Sequence, residues 1–377
     1  MNIAVDLLYL IPGHVGGTET YAISLLNALI EEDESNEYFV FGNRALRKLD
    51  IPEEKRVRKI SLPFNPRWRI VRYFWQQFLL PIYLSYYGVD LLHSPAYVTS
   101  LLPGIPIVVT IHDVNFLALR DVLPFYKSRI LGWFVKRSAE RAEKIITVSD
   151  FSCSEILNHM AHIDERKIHV IPEASKYDAH DRRLQNHQLI PLPGLVRPYL
   201  IAFSSPFPHK NISRLIRAYA KIAHQIEHCL VLVGSVADKS DILKTINNTG
   251  LSERIILTGY VGDDILLPLL KKASVMIFPS WYEGFGLPVL EAQQLGTPVV
   301  CSNAASLPEI AGEGAVYFDP YSIDDIADSV LAVLKSKHTQ ERLTSLGTEN
   351  AARYSWEKAA RITLDVYRLA SSLDERC

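Results

Sequence analysis

The sequence has few cysteines, no basic leader and no long apolar run. The four cysteines, Cys153, Cys229, Cys301 and Cys377, lie far apart. This spacing excludes a disulfide framework or a cysteine metal site and is typical of reduced, mostly buried thiols. Residues 1–6 carry an early acid and read as a strand instead of a signal peptide. No apolar run approaches the roughly 18 residues that cross a bilayer. We therefore expect a cytoplasmic protein that at most lies against the inner face of the cell membrane.

The chain also lacks a large charge of either sign. Its 40 Lys and Arg nearly balance 42 Asp and Glu, for a net charge of −2, which gives nucleic acid no general attraction. The 377 residues are 48% hydrophobic, enough for two α/β domains with cores of their own. We expect two domains and no nucleic-acid partner.

Apolar runs of strand length alternate with helix-length segments, which predicts parallel sheets covered by helices. The pattern lapses over 172–198, where turn-forming residues predict the interdomain connection. We place one domain at 1–185 and another at 190–355. The predicted helices include 18–31, 126–143, 322–335 with a continuation to about 353, and one after Ser355. The predicted strands are 3–8, 38–41, 57–60, 91–93, 107–111, 145–148, 168–171, 199–203, 230–233, 255–257, 275–278, 298–300 and 315–318.

Residues 278–292, FPSWYEGFGLPVLEA, form the most informative stretch of the chain. Glu283 and Glu291 stand on either side of a Gly-x-Gly loop, and Pro288 favours a helix start. The free amides of a helix start suit a phosphate, whereas carboxylates near a diphosphate suit sugar hydroxyls. Together they predict a nucleotide-sugar site.

The frame E-G-F-G-L-P-x-L-E-A resembles the signature of retaining glycosyltransferase family 4. The resemblance implies the GT-B fold: α/β, with two Rossmann-like parallel-sheet domains facing across a cleft. It also implies that the C-terminal helix, 356–377, crosses back to the first domain. The implied reaction is retaining transfer of a hexose from a nucleoside diphosphate to an acceptor hydroxyl.

The resemblance gives roles to the residues of this frame. Glu291 is expected to accept hydrogen bonds from ribose hydroxyls, and Glu283 from hydroxyls of the donor sugar. The amides of Phe285, Gly286 and Leu287 are expected to face the sugar and diphosphate.

The loop after the predicted strand 199–203 holds Ser205 and ends in Lys210. Lys210 would offset the negative charge that grows on the leaving diphosphate, and Ser205 is a further predicted donor contact. The family usually has a glycine near Ser204 and an arginine where His209 stands. If His209 is neutral, one phosphate-neutralising charge is missing or comes from elsewhere.

Further predicted donor contacts follow other strands. The glycine loop after the first strand resembles the flexible family loop that closes over the donor phosphates. In the family, the residues that match positions 260 and 261 hold the base through backbone groups. The side chains at these positions therefore do not distinguish uracil from guanine. An ordinary turn is the alternative for the glycine at 234. The predicted donor contacts after these other strands are Gly16, Gly17, Gly234, Tyr260, Val261 and Leu266.

His112 follows the predicted strand 107–111, and the matching family histidine touches the transferred sugar. We predict His112, Lys210 and Glu283 as the catalytic residues. His93 also stands at a strand end, where a structural role and a site role remain open.

No Asp-x-Asp occurs, so the usual means of holding a metal with the diphosphate is absent. Lys210 and the helix start would replace it, and we expect no metal and no other cofactor. The basic and aromatic segment 66–87 either lies on a membrane that carries a lipid-linked acceptor or packs inside the first domain.

The expected partners are a nucleotide-sugar donor and a glycan or lipid-linked acceptor. We favour UDP-glucose as donor, with GDP-mannose as the alternative. A sugar-nucleotide epimerase and a non-catalytic scaffold that binds nucleotide sugars stay open. A dehydrogenase lacks support, because no strand is followed by Gly-x-Gly-x-x-Gly and a later acid.

Overall fold

The computed structural model describes residues 1–13, 16–119, 125–177, 192, 195, 197–236 and 241–372, without the side chains of Arg69, Phe125 and Tyr126. The chain forms two compact units. The first contains Met1–Glu173 and Ser355–Cys377, and the second contains Ala174–Tyr354. Most of the predicted connection, along with His14, Val15 and Cys377, lies outside the described residues.

The first unit contains a seven-stranded parallel sheet in the order β3-β2-β1-β4-β5-β6-β7. Most of its strand residues are buried, because helices cover both faces of a parallel sheet. The strands are β1 Asn2–Leu7, β2 Glu37–Gly42, β3 Val57–Ser61, β4 Leu91–Ser94, β5 Ile107–Thr110, β6 Lys144–Thr147 and β7 Ile168–Val170.

Helices of the first unit follow its strands, and two apolar clusters fill the unit's core. Ser149 caps one helix, because its hydroxyl accepts from the Ser152 amide at 3.0 Å. A π turn, Trp75–Leu79, joins two short helices. The helices are α1 Gly17–Glu32, α2 Arg69–Phe74, α3 Leu80–Tyr86, α4 Asn115–Ala118, α5 Phe125–Arg141 and α6 Asp150–His159.

The second unit has a six-stranded parallel sheet in the order β10-β9-β8-β11-β12-β13. Two buried clusters again fill its core. The strands are β8 Tyr199–Phe203, β9 Cys229–Val233, β10 Ile255–Gly259, β11 Val275–Phe278, β12 Val299–Ser302 and β13 Ala315–Phe318. The helices are α7 Ile212–Ile222, α8 Asp241–Thr249, α9 Asp263–Lys272, α10 Leu287–Gln294, α11 Leu307–Ala311, α12 Ile323–Lys335 and α13 Lys337–Ala351.

The last helix, α14 Trp356–Ser371, belongs to the first unit, so the prediction that it returns to the first domain is confirmed. Ser355 caps it by accepting from the Lys358 amide at 3.1 Å. Arg361 pairs with Glu32 of α1 at 2.6 Å. The helix therefore completes the first unit after the chain has built the second.

The observed strands begin and end within two residues of the predicted ones. Cys229 and Cys301 are buried and Cys153 is partly buried, all as free thiols. Among the helices of the described residues, none combines the length and the apolar character needed to cross a bilayer.

Candidate active site

The candidate site lies at the centre of the second sheet. Strands β8 and β11 are neighbours there, and the sheet continues from them in opposite directions along the chain. Ligands of open parallel sheets bind beyond the carboxyl ends of the strands at such a switch point. The loops after β8 and β11 bring Lys210 and Glu283 together, with Nζ 2.7 Å from Oε1.

This ion pair is accessible to solvent. The Lys210 side chain is 24% exposed and the Glu283 side chain is 14% exposed. The ammonium also lies over the Phe278 ring, 5.5 Å from its centroid. A partly exposed pair can exchange one partner for a ligand without burying an unpaired charge.

Buried contacts fix the loop that carries Glu283. The Ser306 hydroxyl, which is fully buried, lies 3.0 Å from the carbonyl oxygen of Glu283 and 2.8 Å from that of Phe285. Gly286 adopts a φ of 111°, and a Cβ there would lie 2.8 Å from Leu307 Cδ2. Glycine is therefore required at this bend.

Helix α10 begins directly after this bend. Its first residue is Leu287, one position before the predicted Pro288. The first amides of a helix have no partner within it, so those at Gly286 and Leu287 are suited to an anion. Glu291 lies one turn further along and is buried.

Asn211 supports the neighbouring lysine, and sequence reasoning gave it no role. It adopts a left-handed φ of 60°, and its amide donates to the carbonyl oxygens of Pro279 at 3.0 Å and Pro320 at 2.7 Å. Its Oδ1 accepts from Arg214 at 2.7 Å. Asn211 therefore ties together the loops that follow β8, β11 and β13. The signal that could have found it is the tolerance of asparagine for positive φ before a helix.

His209 stands where the family usually has arginine. Burial, together with the charge of Lys210, lowers the pKa of His209 to about 4, although Glu283 opposes the shift. Its Nδ1 is buried without a hydrogen-bond partner in the described part of the chain, as is the Ser280 hydroxyl. At neutral pH His209 therefore carries no charge that could offset a phosphate.

The other donor contacts predicted in the second unit lie around the same edge of the sheet. The Ser205 hydroxyl accepts from the Phe207 amide at 3.4 Å. Tyr260 is 78% exposed, whereas Leu266 is buried and Val261 packs against the same core cluster.

Close backbone packing explains why position 234 is a glycine. Its φ is 119°, and an added Cβ would lie 2.3 Å from the carbonyl oxygen of Ser204. Its amide donates to the Gly259 carbonyl at 2.9 Å. The strand ends here approach too closely for any side chain.

His112 lies in the first unit after β5, and both of its ring nitrogens are engaged. Nδ1 lies 3.0 Å from Glu173 Oε1, and Nε2 lies 3.0 Å from the Pro95 carbonyl oxygen. The His112 and Glu173 side chains are only 8% and 5% exposed. A carbonyl accepts but cannot donate, so Nε2 carries a proton. The ring is therefore held between the Pro95 carbonyl oxygen and the Glu173 carboxyl group.

Glu173 is a second residue that sequence reasoning missed. It follows β7 at a strand end, the position used to find the other candidates, but it stands 61 residues from His112 in the chain.

His93 belongs to a buried network. Its Nε2 lies 3.0 Å from the Thr110 hydroxyl, which lies 3.1 Å from the Tyr21 hydroxyl. Its Nδ1 lies 2.6 Å from the Tyr367 hydroxyl on α14. Burial lowers the pKa of His93 to about 3, with a further contribution from the charge of His112. These contacts favour the structural role that the sequence left open for His93.

The glycine loop after β1 leads directly into α1. Gly16 has a φ of 67° and precedes the first helical residue, Gly17. The Gly13 amide donates to the Glu19 carboxylate at 2.9 Å. Within the described ranges, no group of three or more His, Cys, Asp or Glu side chains is placed to hold a metal ion.

Two family models match the chain. Glycosyltransferase Family 4 matches residues 15–174, and Glycosyl transferases group 1 matches residues 195–350. O-antigen chain mannosyltransferase B of Escherichia coli is 32% identical over 271 residues, 70% of each chain. An MMP alpha-(1->4)-mannosyltransferase of Mycolicibacterium hassiacum is 31% identical over 291 residues, 73% of this chain and 68% of the relative.

Solved structures share the fold. Sucrose-phosphate synthase of Thermosynechococcus elongatus matches with a TM-score of 0.75 and 21% identity, over 98% of both chains. Anabaena HepE in complex with UDP-glucose matches with a TM-score of 0.69 and 18% identity, over 99% of both chains. The predicted GT-B fold is confirmed by this likeness and by the two parallel sheets.

Proposed function

This chain belongs to glycosyltransferase family 4, and we propose that it transfers a hexose from a nucleoside diphosphate to an acceptor hydroxyl with retention at the anomeric carbon. The observation that carries the proposal is the Lys210–Glu283 pair, which lies at the switch point of the second sheet beside the start of α10.

The pair gives the donor two complementary partners. The diphosphate takes the place of Glu283 as acceptor for the Lys210 ammonium, and the released carboxylate accepts hydrogen bonds from the sugar hydroxyls. The amides of Phe285, Gly286 and Leu287 face the diphosphate and sugar, and Glu291 accepts from the ribose. Lys210 then stabilises the charge that develops on the leaving phosphate.

No protein nucleophile is assigned in the transfer itself. The bond from the anomeric carbon to the diphosphate oxygen breaks, and the bond to the acceptor oxygen forms on the same face of the sugar. The acceptor proton passes to the departing phosphate oxygen. His112 contacts the transferred sugar in this proposal. Because no side chain attacks the sugar, the protein contributes positioning and charge stabilisation.

The relatives favour mannose over glucose as the transferred sugar. Both of the relatives above are named mannosyltransferases and exceed 30% identity. We therefore place GDP-mannose before UDP-glucose, which ranked first from the sequence alone. UDP-glucose remains the second candidate because a protein of the same fold binds it, at 18% identity.

The acceptor in this proposal is a glycan or lipid-linked glycan of polysaccharide synthesis. The E. coli relative carries an O-antigen name. The enzyme would meet such an acceptor at the inner face of the cell membrane.

A thermal-shift panel tests the donor. GDP-mannose should raise the Tm more than UDP-glucose at equal concentration, because the ligand with the lower Kd stabilises the folded state more. No shift with any GDP- or UDP-sugar would contradict the proposed site. Turnover of the donor without an acceptor would instead favour an epimerase, and binding without turnover would favour a scaffold.

A chelator tests the role given to Lys210 and the helix start. Transfer should continue in excess EDTA, because these groups replace a metal at the diphosphate. Complete loss of transfer that Mn²⁺ restores would contradict metal independence.

A further inference from the structure

The first unit exposes a stripe of apolar side chains that its core does not use. It runs from α2 through the π turn to α3, and the exposed fractions of its members lie between 53% and 85%. Soluble proteins rarely leave so many large apolar side chains together in water. The members of this apolar stripe are Ile70, Phe74, Phe78, Ile82 and Tyr86.

The π turn keeps the apolar stripe on one face. A spacing of four residues in an α-helix drifts by about 40° per step, because 3.6 residues complete a turn. Four such steps would carry Tyr86 far around the helix from Ile70. The π turn Trp75–Leu79 takes up an extra residue and opposes this drift. Such turns are frequent at functional sites.

A second helix extends the apolar surface. Tyr73 of α2 stacks on Phe134 of α5, with ring centroids 4.5 Å apart and planes 1° apart. Helix α5 therefore lies beside α2, and it exposes Ile130 and Trp133 by 53% and 52%.

The two segments carry one sign of charge. Residues 65–88 and 125–139 contain no Asp or Glu, although the whole chain is close to neutral. Arg137 pairs at 2.8 Å with Glu140, the first acid beyond the second segment. The cations with described side chains are Arg67, Arg72, Lys127, Arg129, Lys136 and Arg137.

We propose that this face of the first unit, formed by α2, the π turn, α3 and α5, binds an anionic phospholipid surface. The apolar stripe enters the boundary between headgroups and acyl chains, and the cations contact the lipid phosphates. The tryptophan and tyrosine side chains suit that interface, since each has an apolar body and a polar tip.

A second copy of the chain fits this face less well. A two-fold interface places the same surface on both partners, so the cationic segments would face each other. Like charges held together across an interface are unfavourable. A negatively charged lipid surface complements the same cations.

Vesicle binding tests the proposal. We would compare vesicles of phosphatidylcholine with vesicles in which about one-quarter of the lipid is phosphatidylglycerol. The wild type should sediment with the anionic vesicles and lose binding as salt rises. The double variant Ile70→Ser/Phe78→Ser should bind about tenfold more weakly or worse, and Arg67→Glu should weaken binding to anionic vesicles only.

A matched control comes from α14. Ile362→Ser/Leu369→Ser also removes two exposed apolar side chains, 43% and 47% exposed, and it should bind like the wild type. Thermal unfolding checks that each variant folds.

Two results would overturn the proposal. One is equal vesicle binding by the wild type and Ile70→Ser/Phe78→Ser, or no wild-type binding at all. The other is a wild-type dimer in light scattering that the same double variant dissociates, which would assign the face to a second copy. The inference extends the membrane-side acceptor proposed above, but lipid binding is measured without sugar transfer, so either can fail alone.

Discussion

The two sheets have the same strand order through their first six strands. The side-chain pairs at their carboxyl edges, however, differ in their exposure to solvent. In the first unit, His112 and Glu173 are buried, and both ring nitrogens of His112 are engaged. In the second unit, Lys210 and Glu283 are partly exposed. A buried pair is costly to break, whereas a partly exposed pair can exchange a partner. We infer that Glu173 of the first pair positions the His112 ring. The second pair separates when the donor diphosphate binds Lys210.

The largest expected effect concerns the second pair. Lys210→Ala and Glu283→Ala should each lower kcat by about 10²–10³, the loss typical of a removed transition-state contact. The measurement is steady-state transfer with a folded protein. Lys221→Ala is the control, because Lys221 also forms an ion pair but lies on the exposed surface of α7. Turnover like that of the wild type in either site variant would contradict the assignment.

The first pair should respond less strongly. Glu173→Gln keeps the shape of the side chain but removes its charge, so it should lower kcat by about tenfold to a hundredfold. Steady-state transfer measures this loss, and thermal unfolding checks that the variant folds. Glu140→Gln, at a partly exposed pair with Arg137, should leave kcat unchanged. An unchanged kcat in Glu173→Gln would show that the carboxylate does not position the His112 ring.

The stability of the second unit also depends on the close approach of the Gly234 and Ser204 backbones. Gly234→Ala tests this dependence. The new Cβ would lie 2.3 Å from the Ser204 carbonyl oxygen at a φ of 119°. We expect the free energy of unfolding to fall by about 2 kcal/mol or more, measured by denaturant titration. Gly250→Ala is the control, since it also has positive φ but meets no atom within 4 Å. Equal losses in both variants would assign the cost to φ alone.

The smallest effect is the pH dependence of stability. The pKa of His93 in the first unit is lowered to about 3, and that of His209 in the second unit to about 4. Both rings bind protons more readily when unfolded, so their contribution is complete above about pH 6.5 and is lost toward pH 4 and below. His209→Gln should reduce the loss between pH 7 and pH 6 by about 0.5–1 kcal/mol. An unchanged pH profile in this variant would mean that His209 titrates normally when folded.

Much of the fold could be predicted because its signals are local. Strands of a parallel sheet are buried on both faces and read as continuous apolar runs. The segment from Glu283 to Glu291 could likewise be interpreted alone, because a loop, a helix start and two acids follow within one short stretch.

The residues that sequence reasoning missed depend on distant partners. Asn211 stands 68 residues from Pro279 and 109 from Pro320, and nothing local to Glu173 indicates His112. The neutral state of His209 depends on its burial, which tertiary packing decides. The π turn escaped notice because its sequence has ordinary helical periodicity.

The assignment of α14 to the first unit makes the second unit an insertion within the first. One continuous gene segment, 174–354, encodes the second unit, so it can be expressed separately without joining new ends. A fragment of the first unit that stops at Glu173 would lack Tyr367 and leave the His93 ring without its 2.6 Å partner. An excised first unit therefore needs α14 as well, joined by a linker from Glu173 to Ser355.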